Sequence, residues 1–138
     1  MAKPKERSVE HFAAIPVSVM VSQAYRTLPA KYQAVLWMLA AQYRGNNNGD
    51  LALTRKQAQH FGLNNERTRT HGLRELEARG IIVKTRQGGI SYGGRQPTLW
   101  ALSWKPVNYR DGEELRAVGL PSSGWKQWRE LDTQDSTS

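Results

Sequence analysis

Cysteine is absent from the 138-residue chain, which excludes a disulfide framework, a thiolate metal site and thiol chemistry. Long apolar runs are absent as well. None approaches the roughly 18 residues that span a bilayer, so no membrane partner is expected. The opening stretch MAKPKERSVEHF carries basic residues with no apolar segment after them, and does not read as a secretory signal. These absences fit a cytoplasmic protein. His11, His60 and His71 have no metal-ligand spacing. Glu75 and Glu77 lie two apart on an expected helix and do not face each other, so they form no acid–base pair. A phosphate-cradling glycine motif with its lysine is missing, and so is a nucleophile elbow. No catalytic residue, metal or cofactor is therefore expected, and binding is a better reading than catalysis.

What the chain does have is positive charge. Lys and Arg total 20 against 12 Asp and Glu, a net charge of +8. Residues 44–95 hold ten bases against four acids, leaving +6, whereas residues 105–138 hold five bases against six acids, leaving −1. A cationic middle segment points to a polyanionic partner such as nucleic acid. Hydrophobic residues make up 38% of the chain, enough for one modest core. The expected organisation is a mobile arm over residues 1–10, one domain over 11–106, and a C-terminal arm over 107–138 with a short helix and a disordered tail.

Within the domain, apolar residues return from Phe12, and a short helix is expected around residues 17–25. Thr27-Leu28-Pro29 opens a second helix, on which Tyr32, Val35, Leu36, Leu39, Ala40 and Tyr43 fall at helical spacing until Gly45. Asn46-Asn47-Asn48-Gly49 reads as a tight turn, since Asn and Gly tolerate positive φ, leading into a short strand at 51–53. Thr54 is an N-cap for a helix through Phe61, with Ala58 and Phe61 facing inward. Gly62-Leu63 breaks it, and Asn64 or Asn65 caps the next helix, which runs to Arg79 and stops at Gly80. Residues 81–86 form a strand by their β-branched content. Residues 87–96 contain four glycines and read as an irregular loop. Residues 98–104 form the return strand, with Trp100, Leu102 and Trp104 on one face. Mainly α with a small antiparallel β hairpin, in this order, is the pattern of a winged helix-turn-helix, its sheet completed to three strands by 51–53.

The helix from Asn65 carries the interface candidates, Asn65 itself among them. At about 100° per residue, Gly72, Leu73, Leu76 and Gly80 share the side that packs inward, and Gly72 implies a close helix contact. The opposite side carries Arg67, His71 and Arg74 at i, i+4 and i+7, with Thr70 beside them. An arginine fork matches guanine O6/N7 or a phosphate, although a stripe of this kind is also what an ordinary solvated face looks like. Arg69 lies nearer the packed side and is expected to snorkel past the core edge. Arg55 and Lys56 open the preceding helix, whose N–H-rich end suits a phosphate. Lys84, Arg86 and Arg95 flank the glycine-rich loop and are placed to reach phosphates or a minor groove.

From Phe12 to Pro106 the chain resembles winged helix-turn-helix proteins of bacteriophages and integrated mobile elements, including phage replication-type proteins. The resemblance rests on QYRGNNNGDLALT, FGLNNERTRTHGLRELEARGII, TRQGG and PTLWALSW. It implies a duplex DNA-binding module acting in transcription regulation or replication initiation, and it brings no catalytic residues. Relatives carry a small or apolar residue where Arg69 stands. The competing reading is a non-enzymatic interaction protein that uses the same scaffold to inhibit a host protein or nucleoprotein complex. Trp125 and Trp128 carry that alternative: in SSGWKQWREL one helical turn after a Ser122/Ser123 cap presents both, either docking on the domain or contacting a homodimer or host partner.

Overall fold

The computed structural model describes residues 10–91, 94–108 and 124–129. Residues 1–9 of the expected arm over 1–10, the Ser122/Ser123 cap and the C-terminal tail lie outside these residues. Helices predominate over strands in a mixed α/β arrangement.

Ser22 divides the N-terminal helical region into two. Its Oγ donates to Val19 O (2.6 Å), closing α1 (Val17–Met20), and accepts from Tyr25 N (3.3 Å), opening α2 (Gln23–Arg26). The single helix expected over 17–25 is therefore interrupted by a serine that competes for backbone groups. Pro29 is the N-cap of α3 (Ala30–Ala40), one position before the helix. Val35, Leu36, Leu39 and Ala40 of α3 are buried, while Tyr43 falls in the turn beyond it. Thr54 caps α4 (Arg55–His60) through a reciprocal box: its Oγ1 accepts from Gln57 N (3.2 Å) and its own N–H donates to Gln57 Oε1 (2.9 Å). Asn65 caps α5 (Glu66–Ala78), accepting from Thr68 N at 3.0 Å. Both α4 and α5 end in Schellman-type turns at positive-φ glycines, Gly62 and Gly80, with Leu63 N donating to Ala58 O and Ile81 N to Leu76 O. Phe61 was expected inward but is exposed, because α4 stops one residue earlier and only Ala58 turns into the core.

α5 packs directly on α3, and Gly72 is the point of closest approach. A Cβ there would lie 2.9 Å from Val35 Cγ2 and 3.3 Å from Tyr32 Cδ1. Beyond α5, β1 (Ile82–Arg86) pairs antiparallel with β4 (Leu99–Leu102). All four β4 residues are buried, so the expected alternation is absent there, and Trp104 is only partly covered. The third strand reduces to one bridge, Leu51 to Trp100. A side chain takes the place of a strand partner: Gln42 Nε2 donates to Ala52 O (2.6 Å) and its Oε1 accepts from Ala52 N (3.3 Å).

The asparagine cluster makes the expected turn, closed by Asp50 N donating to Asn47 O (3.0 Å), and Asn48 has a further role that was not expected. The only positive φ values among the described residues belong to glycines, including Gly45 and Gly49 around this turn. Asn48 is fully buried, accepts from Leu102 N (2.7 Å), and places its amide nitrogen 3.0 Å from the carbonyls of Leu102 and Lys105. It thereby ties the α3–α4 connection to the end of β4. The core extends past residue 106, since Trp125, on a 3-10 turn (Gly124–Lys126), packs into the same cluster as Leu36, Leu76 and Ile81.

Candidate nucleic-acid interface

The glycine-rich segment after β1 is regular. β2 (Gly89–Ser91) pairs antiparallel with β3 (Gly94–Gln96), aligning Ile90 with Arg95. The expectation of an irregular loop fails because glycine at 88, 89 and 94 permits a bent ladder. The bend falls between the two paired segments, at Gly88 opposite Pro97-Thr98. A Cβ on Gly88 would sit 2.5 Å from Thr98 N and 2.7 Å from Gln96 O, so only glycine fits this crossing. Gly88 N donates to Thr98 Oγ1 (2.9 Å) and Arg86 Nη2 to Pro97 O (3.0 Å), bracing both sides of the bend.

The distal hairpin, one side of α5 and the start of α4 together enclose a cleft of about 1110 Å³. That exceeds the ~300–1,000 Å³ of a typical small-molecule site. Leu73 and Trp100 line it, and its charged residues are Arg55, Lys56, Arg69, Arg74, Lys84 and Arg95 against Glu66 and Glu77. Six cations facing two carboxylates make the cleft electropositive.

The sequence-predicted residues divide into groups. Arg55, Lys56, Thr70, Arg74, Lys84 and Arg95 converge on this cleft. Lys56, Arg74 and Arg95 are exposed and make no ion pair or side-chain hydrogen bond among the described residues. Lys84 Nζ bonds Gln87 Oε1 (3.0 Å) and lies 5.6 Å above the Trp100 ring. Arg67 is exposed outside the cleft, on the outward ridge that the helical angle shares with Arg74. Thr70 is half-buried, and its hydroxyl donates back to Glu66 O at 3.1 Å. His71 turns to the other flank of α5, a shallow depression of about 380 Å³ beside Thr27, Pro29 and Tyr32. Asn65 is committed to the helix cap. Arg86 departs from expectation: its guanidinium holds the hairpin bend rather than facing outward with Lys84.

Two arrangements were not legible in the sequence. Arg69 does not snorkel but bonds inward, donating through Nη1 to Leu53 O (2.7 Å) and through Nε to Glu66 Oε1 (3.1 Å), with a second contact from Nη2 to Glu66 Oε2. Arg55 Nε reaches the same carboxylate at 3.4 Å. The hydrogen bond from Arg69, aided by the charges of both arginines, holds the Glu66 carboxyl below its ordinary pKa against a smaller opposing effect of burial. The N-termini of α4 and α5 are thus fastened at the mouth of the cleft. The i,i+3 spacing of Glu66 and Arg69 was the available signal. The second arrangement is Arg79, whose Nη1 donates to Ala24 O (2.9 Å) and Thr27 Oγ1 (2.7 Å) while Nε pairs with Glu75 (3.1 Å). Its guanidinium stacks 4.2 Å from the Trp128 ring.

Trp125 is buried and Trp128 is partly buried against the core, so both dock on the domain itself. Among the described residues, no group of three His, Asp or Glu side chains is placed to hold a metal, and no helix is long and apolar enough to cross a membrane. No family model, curated protein or solved structure matches the chain.

Proposed function

We propose that the chain is a winged helix-turn-helix protein that binds duplex DNA in the cytoplasm, in a phage or mobile-element setting, and regulates transcription or initiates replication. In this reading α4 and α5 are the helix-turn-helix and the bent hairpin is the wing. α5 enters a major groove with Arg67 and Arg74 foremost and Thr70 and His71 to either side. The carrying observation is the electropositive cleft between α5 and the hairpin, where Lys56, Arg74 and Arg95 stand without carboxylate partners among the described residues. Cations left unpaired in a concave surface favour an anionic ligand, and the size of the cleft favours a polymer over a metabolite. The interaction-protein reading loses its main support, because the tryptophans that motivated it are packed against the domain.

The test is selection of bound duplexes from a random pool, followed by affinity measurements on the enriched site. Arg67→Ala and Arg74→Ala should each weaken that site by roughly 1–3 kcal/mol, with a smaller effect on random duplex. Arg74→Lys should also weaken it, since lysine keeps the charge but loses the fork. Failure of the pool to enrich, with no binding at low salt, would refute the proposal.

A further inference from the structure

Resting on the duplex-binding reading, we infer that the grip is one-sided: one sugar-phosphate strand lies in the cleft between α5 and the β2–β3 hairpin, and the opposite flank of α5 contributes almost nothing to phosphate binding.

The outward ridge of α5, with Arg74 at its crest, separates two concavities of about 1110 and 380 Å³, and Arg74 lines both. On the hairpin side, Lys56 and Arg95 add positive charge, and Lys84 is engaged by a neutral amide and the face of the Trp100 ring, neither of which offsets its charge. On the other side the charged lining residues besides Arg74 are Glu75 and Arg79, with His71 beside them. Arg79 is largely committed. Its side chain is 12% exposed, its Nε and Nη1 donate to Glu75, Ala24 O and Thr27 Oγ1, and Trp128 covers its face. Glu75 offsets its charge in place. The two flanks of one helix therefore differ sharply in the positive charge they can offer.

Phosphate contacts are counted by the salt dependence of binding, at about 0.9 in log–log slope for each phosphate neutralised on duplex DNA. A one-sided grip concentrates that slope in cleft residues. It also leaves one opposing charge in the path of the strand, because Glu77 lines the cleft and has no ion-pair partner among the described residues. Lys31 serves as the comparison: it is exposed, and its Nζ lies 5.5 Å from the ring of Tyr32, which lines the other flank.

The experiment titrates the full chain onto a mixed-sequence DNA duplex of about 20 base pairs, between roughly 50 and 200 mM salt. Lys56→Ala, Lys84→Ala and Arg95→Ala should each flatten the slope by about 0.9, and Lys31→Ala by less than about 0.3. Glu77→Gln should tighten binding several-fold at low salt, a gain that damage to the fold would not produce. Melting curves on each variant confirm folding. Equal flattening by Lys31→Ala, or unchanged affinity in Glu77→Gln, would overturn the one-sided grip while leaving duplex binding intact. No binding by the unaltered protein at low salt would remove both readings.

Discussion

Gly72 shows how one missing side chain sets the position of the outward ridge. Glycine in mid-helix costs about 1 kcal/mol relative to alanine, so substitution would ordinarily stabilise α5. Here the new Cβ would press to 2.9 Å on Val35 Cγ2, and Val35 is completely buried with a β-branched side chain that cannot swing aside. Overpacking should outweigh the propensity gain, and Gly72→Ala is expected to destabilise the domain by about 1–2 kcal/mol net. Val35→Ala alone should also destabilise, by leaving a cavity. The double variant should be less unstable than the two losses combined, because the added methyl enters the space that valine vacates. Chemical denaturation of the four proteins measures this coupling, and strict additivity would contradict the contact. Arg69 acts at the same scale with the opposite device, a polar side chain turned inward to join Leu53 O and Glu66 at the two helix starts.

Among the elements, the bent hairpin does most to define the cleft. Ile90 and Arg95 are carried on strands that pair with each other, while β1–β4 forms a separate ladder. The crossing at Gly88 sets the angle between them, since a Cβ there collides with backbone rather than with a movable side chain. Gly88→Ala should straighten or detach the distal hairpin and carry Arg95 away from α5. Melting temperature should fall little, because Gly88 lies outside the buried core. The salt slope of DNA binding should flatten by about one phosphate contact, ~0.9. A variant that keeps the full slope would show that hairpin angle does not matter for binding. The bend also marks the limit of what the sequence reveals. α5 was legible from Asn65 and Gly80, and β1 from its β-branched residues, because caps and periodicity are local signals. Four glycines in ten residues suggested irregularity, yet the conformation they permit is decided by cross-strand contacts to Thr98 and Pro97. Strand 51–53 was misjudged for a similar reason, since Gln42 is ten residues distant from the backbone it satisfies. The cationic residues of the cleft were legible by type. Their division between two flanks was not, because Arg79 looks as free as Arg74 until its partners in α2 and at Trp128 are seen.

For the whole molecule, the chain closes on itself at a corner distinct from the cleft. Gly80 permits this closure, since a Cβ there would meet the Gly124 backbone at 2.8 Å. Trp125 then enters the core, and Trp128 stacks on Arg79, joining the end of α5 to α2 and to a segment far along the sequence. Loss of this indole should destabilise the fold without touching the interface. Trp125→Ala is expected to cost about 3–5 kcal/mol, lowering the melting temperature by about 10 °C or more. Trp125→Phe should retain most of that stability. Among the described residues the buried indole Nε1–H has no acceptor, so its removal forfeits no hydrogen bond there and relieves a desolvated donor. Measured well below their melting temperatures, both variants should bind duplex DNA like the unaltered protein, because Trp125 does not line the cleft. A docking tryptophan and a partner-contacting tryptophan predict opposite results. If Trp125→Ala kept its melting temperature while biological activity vanished, the indole would be meeting another molecule rather than the core.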